Sequence, residues 1–95
     1  MGKIYKNQTA LRISLDTDAD LSTASAQVIK YTKPDATTGQ FTAVNGGSGV
    51  IYYQIVNASD IDQSGTWKFW AYVTFTGGTI AQGEPVYIVV YNEGT

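Results

Sequence analysis

The chain has 95 residues, of which 43 % are hydrophobic and 15 % charged, and its formal net charge is −2. A chain of this length buries one hydrophobic core, so we expect a single domain over residues 1–95. The six basic residues are scattered, and no apolar run approaches a membrane span, which argues against nucleic-acid and membrane partners. The sequence has no cysteine and no histidine, which excludes disulfides, thiolate metal sites and histidine-based catalysis.

The N-terminal third predicts two strands and a polar loop. Residues 2–6 are typical of an edge strand or of an arm that docks onto another surface, and we expect the arm, over residues 1–8. Residues 9–16 alternate between apolar and polar side chains, which predicts a half-buried strand. Its inward residues are Leu11, Ile13 and Leu15. Residues 16–25 predict a loop stabilised by side-chain bonds to its own backbone, with Leu21 inserted into the core.

The middle of the chain predicts a strand, a hairpin and a helical turn. Residues 27–33 form the strand, with Ile29 and Tyr31 facing inward. Residues 40–44 and 49–56 flank the turn sequence Asn45-Gly46-Gly47-Ser48, which predicts the hairpin. Alternation in its second strand gives two sets of residues: Ile51, Tyr53 and Ile55 facing inward, and Val50, Tyr52 and Gln54 facing outward. A short helical turn over residues 58–62 follows, anchored by Ile61.

The longest alternating stretch, residues 65–75, predicts the central strand because its residues are aromatic or β-branched. Its two faces are Trp67, Phe69, Ala71, Val73 and Phe75 facing inward, and Lys68, Trp70, Tyr72 and Thr74 facing outward. Gly77 and Gly78 then predict a turn. The last strand, residues 85–92, is apolar on both faces, so one face is expected to meet a sheet and the other a partner. About six to eight short strands predict an all-β sandwich, with a small barrel as the alternative.

Two groups of acidic residues match only part of a known functional motif. Asp16-x-Asp18-x-Asp20 resembles the start of a calcium loop, but Leu21 and Gln27 stand where that loop requires Gly and Glu. Asp60, Asp62 and Glu84 form no clustered pair of the kind that glycosidases use. We therefore expect no metal, no cofactor and no enzymatic activity.

The candidate functional residues are aromatic side chains that the alternation places on outward faces. They are Trp70, Tyr72, Tyr52, Tyr87 and Tyr91. Exposed aromatic residues in a cluster are typical of a protein interface or of a platform on which sugar rings stack. A register shifted by one residue would instead place them in the core.

Five short motifs cover most of the chain in order. They are Leu11-x-Ile13-x-Leu15, Asp20-Leu21-Ser22-x-Ala24, Ile29-x-Tyr31-x-Lys33-Pro34-Asp35, Gly65-x-Trp67-x-x-x-Ala71-x-Val73 and Gly83-Glu84-x-Val86. This ordered set resembles the immunoglobulin-like domain at the N-terminus of the upper baseplate proteins of lactococcal tailed phages, and related small virion proteins. The sequence departs from that family at Ala36, where the family often has Gly, and in the Thr-Thr-Gly extension that follows.

The resemblance implies an immunoglobulin-like antiparallel β-sandwich and a structural role in a tailed-phage particle, in its tail, baseplate, neck or decoration. It also implies other virion proteins as partners, a homo-oligomer in the particle, synthesis in the host cytoplasm and location in the virion. The baseplate proteins continue into further domains, so this chain is expected to be a stand-alone virion component. The alternative function is a carbohydrate-binding module in which Trp70 and Tyr72 stack on a glycan.

Overall fold

A computed structural model describes residues 4–94. They form nine β-strands and one short 3-10 helix, Ala58–Ile61. The strands are β1 (Ile4–Tyr5), β2 (Leu11–Asp16), β3 (Ala24–Thr32), β4 (Thr38–Thr42), β5 (Val44–Gly47), β6 (Val50–Ile55), β7 (Gly65–Phe75), β8 (Ile80–Gln82) and β9 (Val86–Tyr91). The predicted all-β class is therefore confirmed. Within the described range, no helix has the length and apolarity to cross a membrane.

The strands form two hydrogen-bonded sheets rather than one closed barrel. Sheet A has the order β1-β9-β7-β3-β4, and sheet B has the order β2-β6-β5. Strand β7 pairs with β3 along one side, while β8 and β9 lie end to end along its other side. The β1–β9 pair is parallel and the other described pairs are antiparallel, so the predicted wholly antiparallel arrangement is wrong at this edge.

The central strand β7 lies where the sequence predicts it, and its inward face is the middle of the core. Trp67, Phe69 and Val73 are fully buried, whereas Phe75 at the strand end is only partly buried. The alternation predicted for this strand is therefore confirmed. Period-2 burial follows because successive side chains of a strand point to opposite faces.

Sheet B supplies the other half of the core. The predicted inward residues of β2 are buried, as are Ile51 and Ile55 of β6. Leu21 and Ile61 are also buried, as predicted for the loop and the helical turn. The inward tyrosines Tyr31 and Tyr53 are partly buried and pack against this core. A stacked ring contact joins the sheets, from Phe41 of β4 to Tyr53 of β6 with centroids 4.5 Å apart. Tyr31 of β3 packs on Phe41 within sheet A, with centroids 4.8 Å apart.

The predicted hairpin is correct in its second strand and wrong in its first. Residues 38–42 pair with β3 in sheet A, and the chain then crosses at Ala43 to pair with β6 in sheet B. Ala43 is buried, so the crossing stays within the core. The turn itself is Ser48-Gly49, with φ values of 55° and 80°, rather than the predicted four residues. A Cβ at Gly49 would lie 2.8 Å from the Ala19 carbonyl oxygen, so this turn requires glycine.

The N-terminal segment forms the edge strand rather than the expected arm. Ile4 and Tyr5 pair with Val90 and Tyr91 of β9. The backbone N–H of Lys6 donates to the Tyr91 carbonyl at 2.8 Å, which extends the pairing by one residue. Residues 1–3 of the predicted arm lie outside the described residues. Strand β8 has only three residues and was not predicted.

Asp35 ties the turn between β3 and β4 to the segment that precedes β7. Its carboxylate accepts a hydrogen bond from the backbone N–H of Thr37 at 2.9 Å and another from the Gln63 amide at 2.9 Å. Hydrogen bonding from Thr37, and then from Gln63, lowers the pKa of Asp35 to about 2. Close by, Lys33 and Asp62 form a salt bridge at 2.9 Å.

Replacing Asp35 with asparagine is expected to reduce the acid sensitivity of the fold. Because the folded pKa lies below the ordinary value of 3.8, the Asp35 contribution to stability is complete above that value and is lost as pH falls towards about 2. The difference in Tm between wild type and Asp35→Asn, measured by circular dichroism, should therefore shrink between about pH 5 and about pH 2. Glu84→Gln is the matched control in an exposed loop. A difference in Tm between wild type and Asp35→Asn that stays constant over this pH range would contradict the lowered pKa of Asp35.

Candidate functional site

The outward side of sheet A, which we call the outer face, carries most of the candidate residues. Strand pairing places Lys30 beside Trp70, and Lys68 beside Tyr87, on the same side of the sheet. Other members of the outer face are Val28, Gln40, Tyr72, Thr74, Ile80, Gln82 and Val89. The face is therefore a band of aromatic, amide, hydroxyl and lysine side chains across five strands.

Four of the five candidate aromatic residues lie on this side of the molecule. Trp70 and Tyr72 are on β7, and Tyr87 is on β9. Tyr91 lies at the edge, where its ring centroid is 6.4 Å from that of Tyr5. Tyr52 belongs to β6 and lies on the outward side of sheet B, across the core from the others.

Lysine side chains lie over the two central rings of the outer face. The Lys30 ammonium is 3.9 Å from the centre of the Tyr72 ring, and the Lys68 ammonium is 5.4 Å from the centre of the nearest ring of Trp70. These are cation–π contacts, in which the positive charge meets the electron-rich ring face. Both aromatic side chains are half-buried.

The most exposed apolar residues of the outer face are on β8 and β9. Tyr87 is 64 % exposed, Ile80 52 % and Val89 47 %. The apolar pattern of β9 predicted that one of its faces meets a partner, but it did not single out Val89. Ile80 lies on β8, a strand that was not predicted. Tyr87 and Val89 lie two residues apart on one side of β9, and large apolar residues that are exposed together in this way are typical of a contact surface.

Charge is unevenly distributed over the molecule. The strands of sheet A contain no Asp or Glu, although the chain as a whole has a net charge of −2. Within residues 4–94, Lys33 forms a salt bridge with Asp62, whereas Lys30 and Lys68 form none. The outer face therefore presents two ammonium groups and no carboxylate.

Two shallow grooves flank Trp70. The first, of about 310 Å³, is lined by Lys30, Thr38, Gly39, Gln40 and Trp70. The second, of about 300 Å³, is lined by Lys68, Trp70, Gln82, Gly83 and Pro85. Each groove places an amide and an ammonium beside the indole ring, so each has groups that hydrogen-bond hydroxyls or carboxylates.

The acidic loop between β2 and β3 is held by hydrogen bonds to its own backbone, as predicted. Asp16 accepts from the Asp18 N–H at 2.9 Å, and Asp20 accepts from the Ser22 N–H at 3.0 Å. The bond from Ser22 lowers the pKa of Asp20. No group of three or more potential metal ligands occurs between residues 4 and 94.

The remaining acidic candidates take part in local contacts. Asp60 accepts a hydrogen bond from the Tyr53 hydroxyl at 3.2 Å, and Asp62 is paired with Lys33. Glu84 lies in the exposed loop between β8 and β9. The outer face is therefore the best-defined candidate site. No protein-family model, curated protein or solved structure matches the chain.

Proposed function

We propose that the protein is a non-enzymatic structural component of a tailed-phage particle that contacts other protein through the outer face of sheet A. The observation that carries the contact is the carboxylate-free face on which Trp70, Tyr72 and Tyr87 lie together. Interface cores are rich in Trp and Tyr and poor in Asp and Glu. The phage setting rests on the ordered motif resemblance.

We also propose the finer fold, an immunoglobulin-like sandwich. The order β2-β6-β5 corresponds to strands B, E and D of that fold, and β9-β7-β3-β4 corresponds to G, F, C and C′. The crossing at Ala43 between β4 and β5 matches the passage from one sheet to the other after C′. A hydrophobic core between the sheets, with Trp67 at its centre, supports the same proposal.

Burial of the outer face would contribute appreciably to association. An aromatic side chain offers about 150–250 Å² of surface, and Tyr87 is 64 % exposed. At about 25 cal/mol per Å², covering the exposed part of one such ring gives about 2–4 kcal/mol before association entropy is subtracted. Several residues must therefore be covered together, and Val89, on the same side of β9, is an exposed apolar neighbour that would add to Tyr87.

The second candidate function is carbohydrate binding at Trp70. The two flanking grooves favour it, since Gln40 and Gln82 supply hydrogen-bonding groups beside an indole ring. Protein contact is the better supported of the two, because the Trp70 ring is half-buried beneath Lys68 whereas Tyr87 and Val89 are exposed.

Light scattering over a range of concentrations, together with a glycan array, distinguishes the two functions. We expect a mass that rises with concentration and no glycan signal. The mass of a monomer at every concentration, with glycan binding that is lost in Trp70→Ala, would instead establish the carbohydrate-binding alternative.

A further inference from the structure

We propose that the occupant of the outer face is a second copy of this chain, which contacts it with an acidic end formed by Asp16, Asp18 and Glu84. The inference rests on the proposed function and specifies its partner. It makes the contact heterologous, since the lysine-bearing strands of one copy meet the acidic end of the next. The acidic end adjoins the outer face along Gln82, Gly83 and Pro85.

The acidic end lies at the groove between the β2–β3 loop and the β8–β9 loop. The groove has a volume of about 420 Å³, and Asp16, Asp18, Glu84, Pro85 and Val86 are among its lining residues. No Lys or Arg lines it. None of its three carboxylates forms a salt bridge among residues 4–94. The end is therefore a concentration of unpaired negative charge.

The outer face is complementary to this end in both charge and polarity. It has Lys30 and Lys68 and no carboxylate on its strands. It also has the exposed Tyr87, which would meet Val86, itself 42 % exposed at the rim of the acidic groove. Complementary potentials of this kind steer association and fix its orientation.

The same charges disfavour the symmetric arrangements. Two outer faces placed directly over each other would bring lysines against lysines, and two acidic ends placed in the same way would bring carboxylates against carboxylates. Like charges across an interface reduce affinity. Face-to-end contact joins opposite charges, and its repetition from copy to copy produces a closed ring or a filament.

Two charge-reversal variants test this arrangement. The face variant is Lys30→Glu with Lys68→Glu, and the end variant is Asp18→Lys with Glu84→Lys. Arg12→Glu, on the outward side of sheet B, is the matched control. Circular dichroism melts establish that each protein is folded, and sedimentation velocity in low salt measures its association.

We expect each variant alone to associate at least tenfold more weakly than wild type and the control, and a mixture of the two variants to regain association. Mixing restores it because contacts between unlike variants again join opposite charges. We also expect wild-type association to weaken at high salt.

Association of both variants at the wild-type level would overturn the face-to-end arrangement but leave the proposed outer-face contact intact. Wild-type association that is insensitive to salt would also overturn the face-to-end arrangement. If wild type remains monomeric at every concentration, a second copy is not the occupant. The proposed function is then tested separately by the glycan array and by capture of a different virion protein.

Discussion

Replacing Trp67 with alanine is expected to leave little folded protein at 37 °C. Trp67 is fully buried, its ring stacks on Phe69 at 5.8 Å, and its indole N–H donates to the Gln63 carbonyl at 2.9 Å. Truncation of a core aromatic residue costs about 3–5 kcal/mol. A domain of this size has a total stability of about 5–10 kcal/mol. Denaturant unfolding followed by circular dichroism measures the loss.

Trp67→Phe is the matched control for this substitution. It keeps an aromatic ring in the core, but it loses the hydrogen bond to Gln63 and part of the ring volume, so we expect about 1–2 kcal/mol. A soluble Trp67→Ala protein that melts at the wild-type temperature would show that β7 presents its other face to the core.

The double substitution Trp70→Ala with Tyr72→Ala is expected to leave the fold intact and to weaken association at least tenfold. Both residues are on the outward side of β7 and are half-buried, so their loss leaves no closed cavity between the sheets. Aromatic residues at the centre of an interface contribute a large share of its affinity. Circular dichroism measures the fold, and light scattering measures the association.

Tyr52→Ala is the matched control for the double substitution. Tyr52 is also an outward tyrosine of a paired strand and contacts Arg12, but it lies on sheet B. We expect Tyr52→Ala to associate like wild type. Unfolding of the double variant would show that Trp70 and Tyr72 are structural, and wild-type association of that variant would place the contact elsewhere.

Strand alternation was the most reliable guide to the fold. It predicted β7 to the residue, because Gly65 and Phe75 bound an unbroken alternation of aromatic, β-branched and polar residues. It also identified the buried sides of β2 and β6, where one face is wholly apolar. Period-2 burial is a local property of a strand, so the sequence alone can reveal it.

Which strands pair with each other was harder to predict, because strand pairing depends on residues that are distant in sequence. Residues 40–44 read as one arm of a hairpin, yet the chain changes sheets at Ala43. Strands β1 and β8 have two and three residues, too few for an alternation to be recognised. Their pairing is set by backbone hydrogen bonds to β9 and β7.

The candidate site was predicted only in part, because the residues that form it are brought together by the pairing of strands that are distant in sequence. Alternation placed Trp70, Tyr72 and Tyr87 outward, but only the strand order shows that these three share a face while Tyr52 lies on the other sheet. The lysine contacts also depend on register, since Lys30 reaches Tyr72 from the neighbouring strand β3.

The central claim, that copies of this chain meet through the outer face of sheet A, is tested most directly by an NMR dilution series on the ¹⁵N-labelled protein. We predict concentration-dependent amide shifts along the outward positions of β7 and β9, including Trp70 and Tyr87, and at Asp18 and Glu84 of the acidic end, with no change around Tyr52 on sheet B. Spectra that stay constant at all concentrations, or shifts confined to sheet B, would contradict the claim that copies of this chain meet through the outer face.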